Sequence, residues 1–331
     1  MGGQTNLGRE KLETRFRVRL GHDLRERHLI HNLEYYREIP SLLESGWAVT
    51  DANLQIGSAI SRGAPFMACR LGRAEIRFLS KVLLGRTVSQ FEVLLHRYVE
   101  GTDMVWARKD NWFRDKLKGS KKRAGDFLDL YLSAMKQADV LGSWSPGEGI
   151  FEAELRGVLV DQLSSLEPFH HAEPWSSKLE GKSVLVIHPF ASSIRHQFRN
   201  FRQQLFEDPA VLPDFALHTL VPFMDGIRDA ERNIDLIDQY LVLRDEMLQK
   251  SFDVVIIGAG PLGFLLAAEA KLAGRIAVHL GGATQVLFGI RGKRWEEMPH
   301  ISRFFNRFWV SPSKRETPDK FEVNYDRGAY W

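Results

Sequence analysis

Gly258-Ala259-Gly260-Pro261-Leu262-Gly263 has the residue types and spacing of a phosphate cradle. It follows the β-branched run Phe252–Ile257 and opens the almost wholly apolar stretch Phe264–Lys271, so it forms the turn of a strand–turn–helix. Glycines in the pattern G-x-G-x-x-G let backbone N–H groups approach a phosphate at the positive end of a helix. Gly258, Gly260 and Gly263 are therefore candidate nucleotide-binding residues. A nicotinamide dinucleotide would also use this pattern, but its ribose asks for a carboxylate ending the next strand. That strand, Ile276–Leu280, ends in His279, Leu280, Gly281 and Gly282 instead.

Other reactive side chains fall in comparable places. Arg70, Gly72, Arg73 and Glu75 surround a glycine turn after the strand Phe66–Leu71. A surface salt bridge at a helix start explains Arg70 and Glu75 about as well. Glu148 follows Val140–Trp144, His188 to Ser193 follow Lys182–Ile187, and Asp225 follows Phe215–Phe223. His279, Gly281, Gly282, Thr284 and Gln285 close the set. All lie at the carboxyl ends of strands, where open α/β sheets bind ligands. Arg70, Arg73 and the basic knot Arg291, Lys293 and Arg294 suit a diphosphate. Glu75, Glu148 and His188 are the groups that could take a proton from a hydroxyl.

The elements that must position these groups alternate, strand with helix. The sequence therefore predicts a Rossmann-like, mostly parallel, doubly wound sheet. After the first strand, Ile76, Leu79 and Val82 mark one helix face. Ser192 or Ser193 is the expected cap of a helix carrying Ile194, Phe198, Phe201 and Leu205. Ile227–Lys250 reads as a long amphipathic helix with Ile234, Ile237, Leu241 and Leu248 inward. Ser164–Leu179 reads as a connection, and His170-His171 as loop. Residues 1–55 read as a helical arm for packing and dimerisation, 56–300 as the catalytic domain, and 301–331 as a strap packed on it. Arg108–Arg123, beside Trp106, Trp112 and Phe113, is a solvated helix and loop or a peripheral membrane contact.

Composition narrows the classes. The 331 residues are 44% hydrophobic, ample for a core. A net charge of +3 suits a phosphorylated small ligand or an anionic surface and is too weak for nucleic acid. The single cysteine, Cys69, excludes an internal disulfide framework and suits a reducing cytosol. The charged N-terminus has no signal-peptide pattern, and the apolar run Val254–Ala268 is short for a membrane span. The expected location is cytoplasmic.

Arg70-Leu71-Gly72-Arg73-Ala74-Glu75, VLVIHPF, VVIIGAGPLG and above all VHLGGATQVLFGIRGKRW resemble GT-D fold glycosyltransferase-like proteins of bacterial surface-polysaccharide gene clusters. The resemblance covers roughly Phe66 onward. It implies transfer of a sugar from a nucleotide-sugar donor to a glycan or lipid-linked acceptor. It also implies a divalent metal, Mn²⁺ or Mg²⁺, held by an R-x-G-D-x-E element. Arg70, Gly72 and Glu75 match that element, but Arg73 stands at the aspartate. Glu75 alone is a poor site for such a cation. An NAD(P)-dependent oxidoreductase and a non-catalytic nucleotide-binding scaffold of polysaccharide assembly are the alternatives.

Overall fold

The computed structural model describes residues 41–45, 47, 49–87, 111–231, 234–319 and 328–331. Most of the expected arm, Trp106 and the start of the basic run lie outside them.

Seven strands form one parallel sheet: β1 Phe66–Cys69, β2 Val140–Ser143, β3 Leu159–Gln162, β4 Ser183–Ile187, β5 Ala216–Leu220, β6 Val254–Ile257 and β7 Ile276–His279. Their spatial order is β3-β2-β1-β7-β6-β4-β5, and every pairing is parallel. The fold is the expected doubly wound α/β type. Burial follows sequence: the continuous apolar runs β6 and β7 are buried on both faces, whereas the edge strand β5 alternates exposed and covered residues.

One face carries α2 Arg73–Thr87, α4 Lys121–Met135, α6 Leu236–Leu248 and α7 Leu262–Leu272. The short α3 Asn111–Lys116 adds Phe113, stacked on Phe78 at 4.4 Å. α7 is buried nearly all round because it is wedged between the sheet and α4 and α6, which is why its sequence lacks a polar face. The other face carries α1 Ala52–Arg62, α5 Ala191–Phe201 and the aromatic C-terminal region around Trp309. α1 runs across position 55/56 and packs against β1, β2, β3 and β7. Three short helices follow β7: α8 Ala283–Leu287, α9 Lys293–Glu296 and α10 Pro299–Ser302.

Several local expectations are corrected. β3 lies just before the Ser164–Leu179 connection and is not anticipated by the sequence reading, since its four residues contain no β-branched run. α6 begins only at Leu236, where Asp235 and Asp238 close a capping box; a turn containing Gly226 at φ 82° precedes it. Its buried face is Leu236, Ile237, Tyr240, Leu243 and Met247, while Leu241 and Leu248 are 37% and 42% exposed. Neither Ser192 nor Ser193 caps α5. Phe190 holds the N-cap position, and the Glu316 carboxylate accepts from the amides of Ser192 and Ser193.

This strand order positions the site. From β1 the chain moves outward to β2 and β3, and from β4 outward to β5, with β7 and β6 between. The carboxyl ends of β1, β7, β6 and β4 therefore border the crevice where connections diverge.

Candidate active site

The three glycines of the β6–α7 turn are there for different reasons. A Cβ on Gly258 would lie 2.5 Å from His188 Cδ2 and 2.7 Å from the Gly281 carbonyl oxygen. One on Gly263 would lie 2.5 Å from His279 Nε2. Gly260 has φ 53° and open space before it, so its constraint is conformational. The Tyr131 hydroxyl donates to the Pro261 carbonyl at 2.5 Å and pins the turn to α4. Among the described residues, the amides of Ala259 and Gly260 have no protein acceptor.

Two histidines flank this turn. His188 Nδ1 accepts from the Phe190 amide at 3.0 Å, which places the ring proton on Nε2. Burial lowers its pKa to about 3, so the ring is neutral and its Nε2–H is a donor. Burial, then the nearby Arg70 charge, also lowers His279 to about 3, against a backbone hydrogen bond at Arg70. Thr284 is fully buried near Gly258, and among the described residues its hydroxyl has no partner.

The R-x-G-R-x-E element lies beside them. Arg70 Cζ is 4.7 Å and Arg73 Cζ 4.6 Å from the Trp144 ring centroid, and the Trp144 indole donates to the Leu71 carbonyl at 2.8 Å. Both guanidiniums are thus presented on one aromatic side chain at the end of β1. Burial pulls the Arg70 pKa down, while Glu75, Tyr330 and Glu167 support its charge and Arg294 opposes it. Burial raises the Glu75 carboxyl, with its own backbone amide, Arg70 and Arg77 pulling the other way. Gly72 makes room for that carboxylate: a Cβ there would fall 2.0 Å from Glu75 Oε2.

A divalent cation fits this donor set poorly. Within R-x-G-R-x-E the one carboxylate is Glu75, and Arg73 adds positive charge two residues away. No group of three or more His, Cys, Asp or Glu among the described residues is arranged to hold a metal.

Of the other expected residues, Glu148 and Gln285 turn inward. Glu148 is fully buried and accepts from the Ser143 hydroxyl and the amides of Leu42, Trp144 and Ser145. Burial raises its carboxyl, and these bonds oppose the rise. It organises the loop that carries Trp144. The Gln285 amide donates to the carbonyls of Ile290, Arg291 and Tyr330, tying the segments around it together. Arg294 donates to the Tyr330 hydroxyl at 2.7 Å, and Gly282 lies against Tyr330 and Trp295. Lys293 is exposed; its amide, like that of Arg291, serves the backbone, bonding Trp331 and Val310 respectively. Asp225 is paired with Lys116 at 2.8 Å. Arg123 from the basic run is bound to Asp235 and Asp238.

Sequence reading misses Trp144, Glu167 and Tyr330 around Arg70. Trp144 directly follows β2, which is a legible signal. Glu167 follows β3 and one 3-10 turn, so overlooking that strand hides the residue at its end.

No family model matches the chain, and no curated protein matches it. Two solved structures are similar. One is the domain of unknown function 1792, described as having a distinct glycosyltransferase fold, at 14% identity, over 75% of this chain and 80% of that chain, with a TM-score of 0.30. The other is the selenomethionine-substituted form of that domain, at 14% identity, over 76% of this chain and 81% of that one, with the same TM-score.

Proposed function

We propose that this protein is a glycosyltransferase that takes a sugar from a nucleotide-diphosphate donor. The observation that carries this reading is the pair Arg70 and Arg73 on Trp144 at the end of β1, with Arg70 3.4 Å from where a Cβ on Gly281, at the end of neighbouring β7, would lie. Guanidiniums donate parallel hydrogen bonds to diphosphate oxygens and stay charged at any working pH. The free amides at Ala259 and Gly260, with the Nε2–H of His188, supply neutral donors to the same anion. Together they stabilise the charge that develops on the diphosphate as it leaves. His279, where a ribose-binding carboxylate would stand, argues against a nicotinamide cofactor.

The acceptor class, a cell-surface glycan or its lipid-linked precursor, comes from the family resemblance. The exposed Lys118, Lys121 and Lys122 suit an acceptor at an anionic membrane surface.

The test combines binding and turnover. A matching nucleotide sugar at ~100 times its Kd stabilises by about 2.7 kcal/mol, which thermal shift detects across a panel of donors. Turnover should persist in EDTA and fall at least ~100-fold in Arg73→Ala. Strict dependence on Mn²⁺ together with a silent Arg73→Ala would overturn the arginine mechanism. A panel in which no nucleotide sugar binds or reacts would overturn the function.

A further inference from the structure

The groups that the sequence offers as bases are occupied. Glu148 is spent on backbone amides, His188 presents a proton rather than a lone pair, and Glu75 lies against the arginines. Another pair follows the carboxyl end of β3, on the same rim of the parallel sheet. Beyond β3 the chain turns through Leu163–Leu166 and brings Glu167, 8% exposed, to where Arg70 feels its charge. Glu167 Oε2 lies 3.1 Å from His170 Nε2. With a carboxylate as acceptor, the ring proton sits on Nε2 and the lone pair on Nδ1. Nδ1 has no protein partner among the described residues. Phe169, Phe304 and His300 fix the ring, with centroids 4.8, 5.7 and 5.9 Å away.

We infer that Glu167 and His170 form a carboxylate–imidazole dyad that activates the acceptor hydroxyl, with His170 as the general base and Glu167 as its positioning residue. The inference rests on the glycosyl-transfer reading above. The acceptor oxygen bonds to the anomeric carbon of the donor sugar. The bond from that carbon to the diphosphate oxygen breaks, its electron pair leaving with the diphosphate. The hydroxyl proton passes to Nδ1 of His170, and Glu167 balances the imidazolium that results. A single displacement of this kind inverts the anomeric centre.

The dyad is tested with full-length wild type, His170→Ala, His170→Gln and Glu167→Gln, using the nucleotide sugar found by thermal shift. Both His170 variants should lose ~100-fold or more in kcat while keeping the donor-induced rise in Tm. Free imidazole should restore part of the turnover of His170→Ala and leave wild type unchanged. Glu167→Gln should lower kcat ~10-fold with little change in the donor KM. The product should carry the inverted anomer. Turnover of either His170 variant within threefold of wild type, loss of donor binding along with turnover, or a retained anomer would overturn the dyad alone. A wild-type protein that neither binds nor turns over any nucleotide sugar would overturn the underlying reading as well.

Discussion

His188 lies against Gly258 and His279 against Gly263, so the two rings brace the glycine turn from both ends. With pKa values of about 3 in the fold against about 6.5 in the unfolded chain, both stay neutral where unfolded histidines charge. Between those values the unfolded chain binds more protons, so stability is full above pH ~6.5 and falls as the pH drops. At pH ~5 each ring should cost about 2 kcal/mol. Glu75 and Glu148, raised by burial, act in the opposite sense. Urea melts at pH 7 and pH 5 check this: His188→Asn and His279→Asn should each flatten the loss. Slopes equal to wild type would mean that the rings titrate normally. At this scale the residue types were readable but their roles were not. A histidine just past a strand signals a site, yet only the Phe190 amide on Nδ1 reveals a donor rather than a base.

The β6–α7 turn shows how an element combines separate constraints. Gly258→Ala would drive a methyl group into His188 and the Gly281 carbonyl, so destabilisation of about 1–3 kcal/mol is expected. Gly260→Val meets no atom but forces a β-branched residue to φ near 53°, with its side chain over the open side of the turn. It should keep the fold and lose nucleotide binding. Circular dichroism with nucleotide titration separates the two, and donor affinity unchanged in folded Gly260→Val would place the phosphate elsewhere. This βαβ unit was legible because its strands are continuous apolar runs and its glycines punctuate them. β3 was not, because an edge strand of four residues has little pattern to show. α6 was misread in phase: Leu241 and Leu248 share a helical face, but the Asp235 capping box and the packing on α7 turn Tyr240, Leu243 and Met247 inward instead.

Across the molecule, the C-terminal region completes what the sheet leaves open. Glu316 is 4% exposed, receives the amides of Ser192 and Ser193 and hydroxyl bonds from Ser193 and Ser313, and so supplies an internal anion to the start of α5. Glu316→Ala should lower stability by about 1–3 kcal/mol, since the part-buried Ser192 amide and the buried Ser193 amide lose their acceptor. Inorganic phosphate should then stabilise the variant more than wild type, by taking the vacated position. Equal phosphate responses in the two proteins would show that the helix start stays closed without the carboxylate. Among the described residues, no helix is long and apolar enough to cross a membrane.

The same carboxylate bears on the timing of assembly. Glu316 meets Ser193 across 123 positions of chain, and Gln285 meets Tyr330 across 45. Contacts of such separation form late, after much loop entropy has been lost. On the ribosome, β1 to β7 emerge before the residues that close α5 and cover Gly282. Once β7 has emerged and before Glu316 has docked, the chain can pair its sheet while the start of α5 is uncapped. Docking of Glu316 and Tyr330 is then the step that closes the start of α5 and covers Gly282.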